Sequence, residues 1–184
     1  LETASEDCGI NDTTAMALLG NQIWLGRENG LKVYETDFPR IKLAVGIDIP
    51  EYLQHAEITA LASDGQDVWI GTRNGLFQYR SGTGSWTPYT LLNGLAGNDI
   101  STIAAGTAFV WVGTAGEGLS RYSKRTQKWE SFNLNDGLAD SNIRSIALDG
   151  KYVWIGTFSA GVCRYDLTTE LWTTYRTADY KGMP

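Results

Sequence analysis

The sequence predicts an all-β fold, a β-propeller built from four-stranded antiparallel blades. The main observation is a motif of Trp, an apolar residue and Gly that recurs every 42 to 45 residues. The Trp of this motif is Trp24, Trp69, Trp111 and Trp154. A Tyr follows each Trp after ten or eleven residues, at Tyr34, Tyr79, Tyr122 and Tyr165. A repeat of about 40–45 residues that contains only short strands is typical of propeller blades.

Each repeat contains four short segments with strand character, rich in aromatic and β-branched residues. In the third repeat they are "DISTIAAG", "AFVWVGTA", "GLSRYSK" and "KWESFNL". The last three repeats carry a second Trp in the fourth segment, at Trp86, Trp129 and Trp172. No stretch shows a helical period. We therefore predict one propeller region over residues 1–184, with repeats at approximately 8–50, 51–92, 93–135 and 136–180.

The strict period of the Trp residues indicates core packing between blades rather than a surface on which sugars or bases stack. We expect Trp69, Trp111 and Trp154 to be buried. The Gly two residues after each Trp is expected to let a neighbouring backbone or ring approach closely.

Composition excludes several classes of protein. Of the 184 residues, 42% are hydrophobic, which is ample for a packed core. The net charge of −6 argues against nucleic acid as a partner, because phosphate binding needs a basic face. No apolar run approaches the roughly 20 residues of a membrane span, so this segment is not expected to insert into a membrane. Cys8 and Cys163 are too few for a disulfide framework and leave the redox compartment open.

The third and fourth repeats carry the residues of a known repeat pattern. They read "NGLAGNDISTIAAGTAFVWVGTAGEGLSRYSKRTQKWESF" and "DGLADSNIRSIALDGKYVWIGTFSAGVCRYDLTTELWTTY". These resemble the two-component regulator propeller repeat, whose pattern runs through Asn-Gly-Leu, Trp-Ile-Gly-Thr, Gly-Leu, Tyr and a Trp strand. The resemblance is weaker in the first repeat, where "TDFPRIKL" lacks the outer Trp. It implies the extracytoplasmic, periplasmic or secreted, ligand-sensing part of a hybrid histidine kinase, often for saccharide-related signals.

Both ends of the chain align with the connectors between repeats. "KGMP" at residues 181–184 matches "NGLA" and "DGLA", and "CGINDTTAM" resembles a shortened connector. We therefore expect a segment of a larger propeller, or a unit completed by self-association or by neighbouring blades. A closed ring of four blades remains an alternative, because propellers have about 4–8 blades.

Blade topology places the connectors and the turns between second and third strands on one rim. Loops held by a rigid scaffold are the usual location of binding residues. The candidate ligand-binding residues there are Arg27, Arg73, Asn74, Glu117 and Phe158. We interpret Arg27 and Arg73 as occupying equivalent places in successive repeats. Arginine donors and an aromatic face suit a small polar or saccharide ligand.

Nothing in the sequence points to catalysis, a metal or a cofactor. The one histidine, His55, lies in a connector without a nucleophile or acid partner at a recognisable spacing. The acidic pairs Asp64 with Asp67 and Asp136 with Asp140 do not fit a calcium-loop pattern. A non-catalytic binding module is thus predicted. A scaffold for protein–protein contact and a propeller lyase are the alternatives.

Overall fold

The computed structural model describes residues 12–37 and 40–176, which form four four-stranded antiparallel sheets. The predicted all-β propeller fold is confirmed. The first two sheets contain β1 (Thr13–Leu19), β2 (Gln22–Arg27), β3 (Gly30–Asp37), β4 (Arg40–Leu43), β5 (Ile58–Ser63), β6 (Asp67–Thr72), β7 (Gly75–Arg80) and β8 (Ser85–Tyr89). The other two contain β9 (Ile100–Ala105), β10 (Phe109–Thr114), β11 (Leu119–Ser123), β12 (Lys128–Phe132), β13 (Ile143–Leu148), β14 (Tyr152–Thr157), β15 (Val162–Asp166) and β16 (Trp172–Tyr175).

Each sheet is a simple meander in which every strand pairs with the next one along the chain. We call the sheets blades 1 to 4 in chain order. Helical structure in the described residues is limited to α1 (Glu51–Gln54) and two 3-10 turns, Leu91–Asn93 and Leu134–Asp136. Each blade lies within one predicted repeat. Residues 1–11 and 177–184, which carry Cys8 and both terminal connectors, fall outside the described residues.

The first strands of the blades line the inside of the arc. Strand β1 packs against β5, β5 against β9, and β9 against β13. Among the described residues, β13 and β1 show no comparable packing. The four blades therefore form an open arc rather than a closed ring.

Glycine after the core Trp permits the close approach of the next blade. A methyl group built on this Gly would lie 2.5 to 2.6 Å from the Cγ2 atom of the first Ile of the following blade. The pairs are Gly26 with Ile58, Gly71 with Ile100, and Gly113 with Ile143. Such separations are shorter than van der Waals contact, so only Gly fits between the blades.

In blades 1 and 3, a bulge in the first strand adds a second link between blades. It puts one extra residue out of register and turns its side chain toward the next blade. In blade 1 the Thr14 hydroxyl donates to the Ile58 carbonyl at 2.5 Å, and in blade 3 Ser101 donates to the Ile143 carbonyl at 2.6 Å. The fourth blade has Arg144 at this position.

Aromatic rings fill the space between blades. The core Trp of each of the first three blades meets the Tyr of the next one, with ring centroids 4.9 to 5.5 Å apart. These pairs are Trp24 with Tyr79, Trp69 with Tyr122, and Trp111 with Tyr165. Burial of Trp69 and Trp111 is confirmed. The prediction that Trp154 is buried is wrong, because no blade among the described residues follows it; its ring is half-buried.

The connectors cross from the outer strand of one blade to the inner strand of the next. In "TLLNGL" the Thr90 hydroxyl accepts from Leu92 N at 3.3 Å, and the Asn93 side chain accepts from Thr90 N at 2.8 Å. Gly94 then takes the left-handed conformation, with φ of 102°, that ends the 3-10 turn. The following Leu95 is buried. The Asn-Gly-Leu motif thus folds a compact connector that anchors on the core.

Candidate functional site

The connectors and the turns after β2, β6, β10 and β14 share one rim, which we call the connector rim. Backbone hydrogen bonds join the turns of blades 1, 3 and 4 to a neighbouring connector. Gly30 N donates to Ala56 O, Gly118 N to Ser141 O, and Phe158 N to Asn142 O, each at 2.9 Å. Turns and connectors therefore alternate along a continuous surface that the blades hold in place.

The Thr of the Gly-Thr motif closes each of the last three turns. Its hydroxyl donates to the carbonyl of the Gly that opens the next strand, at 2.8 to 2.9 Å. The pairs are Thr72 with Gly75, Thr114 with Gly118, and Thr157 with Gly161. Thr72 and Thr114 are buried. The turns that carry the candidate ligand-binding residues are thus fixed from inside the blade.

The interpretation that Arg27 and Arg73 hold equivalent places is wrong. Arg27 is the last residue of β2 and pairs with Gly30, as Thr72 pairs with Gly75. Arg27 therefore replaces the turn-closing Thr, whereas Arg73 lies in the turn itself. The Arg27 Nε is buried and has no hydrogen-bond partner among the described residues.

Arg73 joins the connectors on either side of blade 2. Its Nε donates to the Glu57 carboxylate at 2.8 Å, and its Nη1 donates to the Asp99 carboxylate at 3.3 Å. The hydrogen bond to Glu57, with the charges of both acids, raises the pKa of the exposed Arg73 guanidinium. Two carboxylates thus outnumber one cation here, and the side chain is held without being buried. Beside it, Asn74 is exposed, and its N donates to the Thr72 hydroxyl at 3.1 Å.

Glu117 lies in the turn of blade 3. Its backbone N donates to the Thr114 hydroxyl at 2.9 Å. Its side chain lies directly against Gly97 of the preceding connector, where any larger residue would collide with the carboxylate. Glu117 is exposed, so its carboxylate is positioned by the connector and remains accessible to solvent.

Phe158 lies in the turn of blade 4 with 65% of its surface exposed. The guanidinium carbon of Arg144 lies 4.6 Å from the centre of its ring, a cation–π contact. The carboxylate of Asp140, in the preceding connector, accepts a hydrogen bond from Asn142 N at 2.9 Å. It also accepts hydrogen bonds from the Ser159 N and hydroxyl, at 2.8 and 2.7 Å. Those hydrogen bonds, led by the one from Asn142, lower the pKa of Asp140. One ring face therefore packs on Arg144, and much of the ring stays open.

The five candidate residues lie along the connector rim, at the end of β2 and in the turns of blades 2, 3 and 4, and the structure does not gather them in one cavity. No hydrogen bond or ion pair joins any two of them within the described ranges. They are distributed over an arc of four blades.

A cleft on the connector rim was not predicted. It has a volume of about 480 Å³ and lies between the outer strands of blade 1 and the first connector. Its polar lining includes Asn29, Lys32, Asp48, Gln54 and His55. The signal for it is the first connector itself, which is longer than the others and contains α1 in place of a 3-10 turn.

A second cleft, of about 540 Å³, lies on the opposite rim between blades 3 and 4. Its charged lining includes Lys124, Arg125, Lys128, Glu130 and Glu170. Both basic and acidic side chains line it, and Lys124 already pairs with Asp64 of blade 2.

The described residues contain no group of three or more His, Cys, Asp or Glu side chains placed to hold a metal ion. Cys163 is a free, fully buried thiol whose Sγ accepts from Ala139 N at 3.2 Å. It therefore acts as a packing residue of blade 4.

Solved structures similar to this chain include extracellular domains of two hybrid two-component systems from B. thetaiotaomicron. The domain of BT4673 superposes with a TM-score of 0.70 at 25% sequence identity, over 89% of this chain and 22% of that one. The domain of BT3049 superposes with a TM-score of 0.71 at 18% identity, over 91% and 25%. The resemblance to two-component regulator propellers is confirmed at the level of structure.

The designed protein Ika8 shares the fold as well, with a TM-score of 0.63 at 19% identity, over 90% of this chain and 50% of that one. No protein-family model matches the chain, and neither does any curated protein. The chain spans at most a quarter of the two extracellular domains, which belong to hybrid two-component systems. No helix in the described part of the chain is long and apolar enough to cross a membrane.

Proposed function

We propose that this arc of blades is a non-catalytic ligand-sensing module, located outside the cytoplasm, that binds a small saccharide on the connector rim. The observation that carries the proposal is the alternation of turns and connectors along that rim. Successive blades present Arg73, Glu117 and Phe158 from turns that are hydrogen-bonded to their neighbours. The likeness to extracellular domains of hybrid two-component systems supports a sensing role.

The electrostatics of the rim favour a neutral saccharide over an acidic one. Glu57 and Asp99 already balance the charge of Arg73. Its Nη2 donates no hydrogen bond among the described residues, and it remains available to a hydroxyl group. Glu117 supplies an acceptor, and the open part of the Phe158 ring suits the apolar face of a sugar. An acidic ligand would add a third negative charge beside Arg73.

Calorimetric titration with neutral oligosaccharides, maltohexaose and xylohexaose, tests this proposal, with an oligogalacturonate of the same length as the acidic comparator. We expect a neutral probe to bind, and binding to disappear in the triple variant Arg73→Ala, Glu117→Ala, Phe158→Ala. The matched control is Arg125→Ala with Lys128→Ala, on the opposite-rim cleft, which should bind like the wild type. Loss of binding in the control alone would place the ligand in that cleft and contradict the proposal.

Failure of every probe to bind would favour the alternative of a protein–protein interaction scaffold. A specific observation supports that alternative, because the arc leaves large apolar side chains exposed on its terminal blades.

A further inference from the structure

The outer face of blade 4, which points away from blade 3, lacks the cover that the equivalent faces of the other blades have. The clearest marker is the residue that follows the turn glycine. Leu31, Leu76 and Leu119 are 3%, 0% and 0% exposed at this place, whereas Val162 of blade 4 is 39% exposed. We call this surface the distal face.

Gly156 shows the same absence of a neighbour. In the first three blades, the equivalent Gly touches an Ile of the next blade. At Gly156 the three nearest atoms among the described residues all belong to Ser145 of its own blade. The distal face thus retains the small residue that admits another blade, but no blade of the described chain fills the space.

Arg164 is an incomplete copy of Arg121. The Arg121 guanidinium lies within 5.7 Å of four aromatic ring centres, including that of Tyr165 in the next blade, and donates to the Tyr165 hydroxyl at 3.4 Å. The Arg164 guanidinium lies within 5.8 Å of three ring centres, all in its own blade. Its Nε is buried and has no hydrogen-bond partner within the described ranges. The missing fourth ring is the one that a following blade would supply.

Blade 1 presents the complementary surface on its side away from blade 2, which we call the proximal face. Met16 occupies the place of Leu61, Ile103 and Ile146, which pack on the preceding blade. Met16 and Leu18 are both 60% exposed, although they lie in the innermost strand of blade 1. Leu43, which pairs with Tyr34 as Trp86 pairs with Tyr79, is 61% exposed. These side chains form a patch of the kind that marks an interaction surface.

We propose that a second copy of this chain covers both faces. The proximal and distal faces are the two halves of an interface that the chain already forms three times between its own blades. A half-turn about the ring axis brings each distal face against the proximal face of the other copy. The result is a closed ring of eight blades with no apolar blade face left open.

Sedimentation equilibrium of the 184-residue chain tests the proposal. The expected mass is near twice the chain mass of 20.2 kDa. Leu18→Glu on the proximal face and Val162→Glu on the distal face should each give a folded monomer with an unchanged far-ultraviolet spectrum. Leu92→Glu is the matched control, since Leu92 is exposed on a connector away from both faces, and it should remain a dimer.

Mixing the two single variants distinguishes a head-to-tail contact from a symmetric one. An equimolar mixture of the Leu18→Glu and Val162→Glu chains retains one intact distal–proximal contact, so it should associate more strongly than either chain alone. A monomeric wild-type chain overturns the proposal and favours cover by other blades or by another protein. Open-ended polymers, or a dimer unaffected by both variants, overturn it equally.

Discussion

The Cγ2 atom of Ile143 lies 2.5 Å from the point that a methyl group on Gly113 would occupy. The two residues belong to different blades, so the contact locks blade 3 to blade 4. Gly113→Ala should force the blades apart and lower the free energy of unfolding by about 1–3 kcal/mol, the usual cost of overpacking. Urea denaturation measures the change. Gly116→Ala is the control, because the space around Gly116 is open; equal stability of the two variants would contradict the account of blade packing.

An ion pair between Asp64 and Lys124 links blades 2 and 3 on the opposite rim. Burial alone raises the pKa of Asp64, but the hydrogen bonds from Lys124, Asp67 and Gln66 outweigh it and lower the pKa. The stabilisation is therefore present above the unfolded pKa of about 3.9 and is lost as the pH falls through the lower folded pKa. Asp64→Asn should cost about 2 kcal/mol at pH 7 and progressively less below pH of about 4.

Urea denaturation of the wild type and Asp64→Asn between neutral and acidic pH measures this difference. Asp48→Asn, a change at an exposed connector residue, is the control and should follow the wild type. A stability difference that stays constant down to the acid range would show that Asp64 is not the titrating group.

Arg121 is surrounded by aromatic rings from two blades and forms ion pairs with Glu130 and Glu170. Its side chain is only 13% exposed. Arg121→Met keeps the apolar stem but removes the cation–π contacts and the ion pairs, so it should cost about 1–2 kcal/mol. Thermal unfolding followed by circular dichroism measures the effect. Arg125→Met, at an exposed neighbour, should leave the melting temperature unchanged; a similar loss in both variants would argue against a specific role of Arg121.

Thr114 fixes the turn that carries Glu117. Its hydroxyl donates to Gly118 O at 2.8 Å and accepts from Glu117 N at 2.9 Å. Thr114→Val preserves the shape and removes both hydrogen bonds, so we expect a loss of about 1–3 kcal/mol. It should also weaken saccharide binding on the connector rim. Thr126→Val, in an exposed turn of the opposite rim, is the control. Unchanged saccharide binding by Thr114→Val would show that recognition does not depend on the rigidity of this turn.

The fold was predictable because every blade repeats one contact. The Trp, the Gly after it and the closing Tyr recur because each of them packs on the neighbouring blade, so their spacing reports the architecture directly. The prediction that Trp154 is buried failed, because a repeat pattern identifies the core Trp of a blade but does not show whether another blade packs against it. Exposure of Val162 has the same origin.

The candidate site was less predictable because its residues do not repeat. Arg27 and Arg73 appeared equivalent in the sequence, and only the strand register separates a strand end from a turn. The cleft beside His55 depends on a connector that departs from the pattern. Periodicity therefore identified the rim, while the individual contacts of Arg73, Glu117 and Phe158 required the structure.

We propose that the turns and connectors of successive blades form one recognition surface for a saccharide. Amide NMR spectra of the isotopically labelled chain, recorded during titration with maltohexaose and xylohexaose, test it most directly. We expect the shift changes to cluster at Arg73, Glu117, Phe158 and the connectors beside them. Changes confined to the opposite-rim cleft around Arg125 and Lys128 would contradict it.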